Sequence, residues 1–170
     1  MLRLAVLASL LLAPACRMSL EDDNNNGPAD APPGTADAPL SASCQEATSH
    51  SDLAWIETNV FQRSCTFSGC HNGANTDAGR MNLKVGMSHA SLVNVDSEIA
   101  PSFKQVVPGQ PNQSYLLMMI QHIPPGQMSP PTSPPPDDVG FMPQTAGESL
   151  LCVEKRDAIQ RWIAAGAMNN

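Results

Sequence analysis

Aromatic side chains are scarce: two Trp, one Tyr and four Phe make up 4% of the 170 residues. Trp55, Phe61, Phe67, Phe103, Tyr115, Phe141 and Trp162 therefore have to supply most of the bulky packing. A large flat apolar cofactor would complete such a core, although Leu, Ile, Val and Met can build one too. Basic residues are also few. Nine Lys and Arg stand against sixteen Asp and Glu, for a formal charge of -7. Arg63, Arg80, Lys84, Lys104, Lys155, Arg156 and Arg161 are scattered without forming a stripe, which excludes nucleic acid as the expected partner. The apolar run from Leu4 to Leu12 is too short to span a bilayer stably. No internal repeat, phosphate loop or Ser/His/Asp arrangement is visible. Glu46, Glu57, Asp77, Glu98, Asp137, Asp138, Glu148 and Glu154 have no pairing that spacing supports, so most read as solvated surface.

The first residues, MLRLAVLASLLLAPAC, place one Arg and the free amine before the apolar run and small residues after it. This is the layout of a bacterial export signal, over residues 1–16. Ala13-Pro14-Ala15-Cys16 resembles a lipobox, in which Cys16 is acylated; the alternative is ordinary cleavage after Ala15. The expected location is the periplasm or cell surface, with the membrane reached through a lipid anchor only. Residues 17–43, rich in Asp, Asn, Ala, Pro and Gly, have little to bury and read as a disordered tether. A domain follows over residues 44–170, small enough to form one core.

Within it, SDLAWIETNVFQRS predicts a helix capped by Ser51 or Asp52, with Leu53, Ile56, Val60 and Phe61 on one face. A helical turn is expected around Ser88 to Val93. A further helix is expected from Pro111 or Asn112, with Tyr115, Leu116, Met119 and Ile120 on its apolar side. Eight prolines between residues 124 and 143 predict a loop. CVEKRDAIQRWIAAGA predicts a closing helix with Cys152, Ile159, Trp162, Ile163 and Gly166 near one face. The fold class is all-α: a small helical domain with long irregular loops.

The chemistry concentrates in CTFSGCH, Cys65 to His71. Two thiols and an imidazole from one short loop can hold a haem covalently and ligate its iron, although the usual spacing is C-x-x-C-H. Here Thr66, Phe67, Ser68 and Gly69 separate the cysteines, so the loop must bulge, and Gly69 suits that. A zinc site is disfavoured because Cys70 and His71 are adjacent, whereas paired zinc ligands usually sit two to four residues apart. A disulfide framework stays open: with Cys16 set aside, four cysteines can pair in three ways. A haem iron held by His71 would take a second ligand from distant sequence. Met142, followed by Pro143 and lying ahead of the closing helix, is the first choice and Met128 the next. His122 or His89 would make a bis-histidine site. Met118 and Met119 read as helix packing, and Met81 and Met87 lie in the loop after the clip.

Taken together, the helix into CTFSGCH, then MNL, VVPGQPNQSYL, FMP and IQRWIAAGA, resembles the exported bacterial c-type cytochrome domains with an expanded haem clip. The likeness covers nearly all of residues 51–168. It implies a cytochrome c-like helical fold, one covalent haem c attached at Cys65 and Cys70, and His71 and Met142 as the iron ligands. Cys44 and Cys152 would then be left to pair with each other. The implied function is electron transfer by a membrane-tethered carrier or an electron-entry domain, with a redox protein of the cell envelope as partner. A haem-free, disulfide-braced surface lipoprotein acting as a binding or structural module is the alternative. A peroxidase-like enzyme would require an iron with no methionine ligand.

Overall fold

The structure, a computed structural model, describes residues 40–144 and 151–170. The export signal, Cys16 and most of the expected tether lie outside these residues. Within them the chain is helix-rich and forms no strand; only isolated bridges occur, such as Val93 with Val106 and Lys104 with Ser114. No described helix is long and apolar enough to cross a membrane.

Helix α1 spans Ala42–Ala47, where the sequence reading placed only the end of a tether and the start of the domain. Helix α2 opens with Leu53–Ile56, passes through a π-helical segment Glu57–Phe61 and closes with Gln62–Ser64. Asp52 caps it, its carboxylate accepting from the Trp55 N–H at 2.9 Å. This meets one of the donors that a helix start leaves unpaired. Leu53, Ile56, Val60 and Phe61 are all buried, as their spacing requires. Helices α3, Ser88–Leu92, and α4, Tyr115–Met119, are short. The expected helix from Pro111 begins as a separate 3₁₀ turn, Pro111–Gln113, and every residue of α4 is buried, so it has no solvent face. The proline-rich segment is loop apart from one 3₁₀ turn, Pro125–Gln127.

Helix α5, Val153–Ala164, buries Ala158, Ile159, Trp162 and Ile163 against the rest. Gly166 does not belong to its buried face. It ends the helix at φ +105°, with its N–H donating to Ile163 and that of Ala167 to Trp162. This pair of bonds is the Schellman stop that glycine permits.

Two helix ends are tied to α5 and its tail. The Arg161 guanidinium donates to the carbonyls of Ala47 at 2.7 Å and His50 at 2.9 Å, so a cation closes the end of α1, where carbonyls are unpaired. Asn170 accepts from the Leu53 and Ala54 N–H groups at the start of α2. A disulfide joins Cys44 of α1 to Cys152, the residue preceding α5, with Cα atoms 6.3 Å apart across 108 residues of sequence. The core is carried mainly by aliphatic residues and methionine around Phe61, Tyr115 and Trp162. Phe67 does not join it. It is 49% exposed in the clip, correcting its expected packing role.

Candidate functional site

Helix α2 runs directly into the clip. The Cys65 N–H still donates to Phe61, as in a helical turn, and the Cys70 N–H then closes a tight turn on Phe67. Gly69 makes that turn at φ +81°, and a side chain there would be strained by the backbone alone. The His71 N–H returns to the Cys65 carbonyl at 3.0 Å. The four intervening residues are thereby absorbed, and His71 is held beside the first cysteine.

The His71 ring is oriented by the 3₁₀ turn Ala78–Arg80, because its Nδ1 lies 2.8 Å from the Ala78 carbonyl. A carbonyl only accepts, so Nδ1 carries the proton and Nε2 keeps its lone pair. Burial lowers the His71 pKa and so favours the neutral ring, against a smaller opposing effect of the Ala78 bond. A neutral imidazole fixed through one nitrogen is the form in which histidine ligates a metal through the other.

Cys65, His71 and Met142 line one cavity, enclosed by side chains of α2, α4, α5 and the intervening loops, with about 570 Å³ of space not filled by protein atoms, part of it open to solvent. Met142 reaches it because its N–H donates to the Met119 carbonyl at 2.8 Å, docking the loop ahead of α5 on the end of α4. Cys70 is partly buried but is not part of the cavity wall. Burial, and secondarily the neighbouring Cys70, pushes the Cys65 thiol up to about 12, so it remains a thiol at neutral pH. Cys65 and Cys70 are not bonded to each other.

Among the described residues, the one trio of Cys, His or carboxylate donors lying within 4.8 Å of one another is Cys44, Cys152 and Glu154, and two of these are consumed in the disulfide. Cys65, Cys70 and His71 do not converge on a point as zinc ligands must. No protein-family model, curated protein or solved structure matches the chain.

The alternative ligands are placed elsewhere. Met128 is buried in the core away from the cavity. His122 bonds Gln160, and Nε2 of His89 lies 3.0 Å from the Ala167 carbonyl. Met119, read from sequence as helix packing, and Met81, placed in the loop after the clip, both line the cavity. Only the folding of the loop after the clip and the burial of α4 on all sides reveal them. Glu57, read as surface, is 5% exposed. Its carboxylate accepts from the Gly86 N–H at 2.8 Å and from the Ser88 hydroxyl and N–H at 2.5 and 3.3 Å. It thereby fixes the start of α3 to α2, a structural use of a charge that a single exposed-looking position in the sequence did not signal.

Proposed function

We propose that the domain holds one haem c, attached through Cys65 and Cys70 and ligated by His71 and Met142, and that it carries single electrons in the cell envelope. The observation that carries this reading is the convergence of Cys65, His71 and Met142 on one apolar cavity, with Nε2 of His71 left as the free ring nitrogen. Cys65, His71 and Met142 fit the group, and Cys70, outside the cavity wall, would reach the haem edge from the turn before His71. A haem needs thiols at its edge, axial ligands to its iron and an apolar enclosure, so its donors must be spread around a plate. The spread arrangement that argues against zinc suits it.

When bound, the haem supplies the one-electron Fe(III)/Fe(II) couple. The chain contributes the rest. The Ala78 carbonyl holds the His71 proton on Nδ1, the Met119 carbonyl anchors the backbone of Met142, and side chains such as Phe61, Leu116 and Ile159 exclude water. A methionine ligand and burial both raise the potential. The export signal and Cys16 lead us to put the domain on a lipid anchor in the periplasm or at the cell surface, with a redox protein of the envelope as partner.

The test is a pyridine haemochrome spectrum on the full chain made in a host with haem-maturation machinery, followed by acid-acetone extraction. Haem that stays with the polypeptide is the expected result. Folded but colourless protein would overturn the reading in favour of a haem-free, disulfide-braced module.

A further inference from the structure

The wall of the cavity carries two polar side chains besides His71, and neither is hydrogen-bonded among the described residues. Of the lining residues, only His71, Gln105 and Tyr115 bear nitrogen or oxygen in the side chain. Gln105 is 7% exposed and Tyr115 2%. The side chains of Gln105 and Tyr115 have no hydrogen-bond partner among the described residues, whereas His71 bonds Ala78. Neither polar group is sealed from solvent, and both residues line the cavity, so a ligand there can meet a donor that the described residues leave unused.

Backbone pairing brings the two residues together. The Tyr115 N–H donates to the Lys104 carbonyl and the Leu116 N–H to the Gln105 carbonyl, each at 3.0 Å. The Gln105 N–H is itself used, donating to Val95 at 2.7 Å. Phe103 packs on the Tyr115 ring with centroids 5.8 Å apart, which restricts its rotation. The two residues are therefore held on paired backbone, in parts of the chain separate from both the clip and the Met142 loop.

We propose that the Gln105 amide and the Tyr115 hydroxyl donate hydrogen bonds to a carboxylate of the bound tetrapyrrole. The proposal rests on the haem reading and deepens it. An O–H and an N–H donor suit a carboxylate, which only accepts, and a haem offers carboxylates as its strongly polar groups. In this role the two residues position the cofactor and do not touch its iron.

The test compares the haem-loaded full chain with Tyr115→Phe, Gln105→Met and the double variant. Both substitutions keep the size of the side chain and remove its hydrogen-bonding group. The readout is the carboxylate bending band of the resonance Raman spectrum, whose frequency rises with hydrogen bonding, recorded beside the iron spin-state bands. Each single variant is expected to lower the carboxylate band, and the double variant to lower it further, with the spin-state bands unchanged. The reduction potential should fall, because a carboxylate stripped of donors stabilises the ferric state. If all variants carry haem and the carboxylate band does not move, the subsite assignment is wrong while the haem reading stands. A wild-type chain that holds no haem overturns both. If Tyr115→Phe does not fold, Gln105→Met alone decides: an unmoved band rejects the proposal.

Discussion

The two ends of helix α2 differ in what completes them. At its start, the chain closes on itself: Asp52 caps the helix, Asn170 meets the neighbouring N–H groups, and nearby the Cys44–Cys152 disulfide and Arg161 tie α1 to α5. Even the His50 ring has its place, stacked on Trp55 with centroids 4.5 Å apart. At the other end, Cys65 and Cys70 are not joined in a disulfide, His71 is held through Nδ1 alone, and Gln105 and Tyr115, whose side chains have no hydrogen-bond partner among the described residues, line an apolar cavity with Cys65 and His71. The first region is finished by protein. The second gathers sulfur and imidazole donors at an apolar cavity, and the haem proposal rests on that gathering more than on the cysteine motif alone.

The largest effect that would break the comparison is expected at Met142. In the haem-loaded protein, Met142→Ala should change the iron from closed to carbon monoxide-binding and lower its potential, while Met128→Ala should leave both as in the wild type. Met81→Ala and Met119→Ala sharpen the test, since both side chains line the same cavity. If Met81→Ala alone opened the iron, the ligand would come from the loop after the clip.

The braced region should respond in stability and not in ligation. Replacing Cys44 and Cys152 together by serine is expected to lower unfolding free energy by about 2–5 kcal/mol, read from urea denaturation, with the haem spectrum intact. A changed spectrum would mean that the two regions are coupled.

Smaller losses should follow at the two carboxylates that support α2 and α3. Glu57→Ala leaves the Gly86 and Ser88 donors without their acceptor, for an expected loss of roughly 1–3 kcal/mol by the same denaturation measurement. Unchanged stability would return Glu57 to the surface role suggested by sequence. Asp52→Ala removes one cap bond and should cost about 1 kcal/mol, the smallest of these effects.

Local physics explains which features could be read before folding. The cap at Asp52, the 3.6-residue spacing of Leu53, Ile56, Val60 and Phe61, the bulge at Gly69 and the loop over the prolines depend on neighbours in sequence, and the structure has each of them. The π-helical segment was not legible, because residues 57–61 carry the same apolar spacing as an ordinary helix. Helix α1 escaped notice because it is six residues long and its stability comes from contacts with Arg161 and Cys152, distant along the chain.

What the sequence determined by itself is therefore the helical periodicities, their stops, and a set of sulfur and imidazole donors rich enough for several chemistries. Cysteine counting allowed three pairings among Cys44, Cys65, Cys70 and Cys152, and spacing could not choose among them. Tertiary structure decided that Cys44 meets Cys152, that Cys65, His71 and Met142 face one cavity, and that Met128, His89 and His122 do not. It also turned Phe67 outward and Glu57 inward. The reason is physical: a helix or turn is specified by bonds between residues a few positions apart, whereas a shared cavity depends on how those elements pack, and packing is a property of the whole chain.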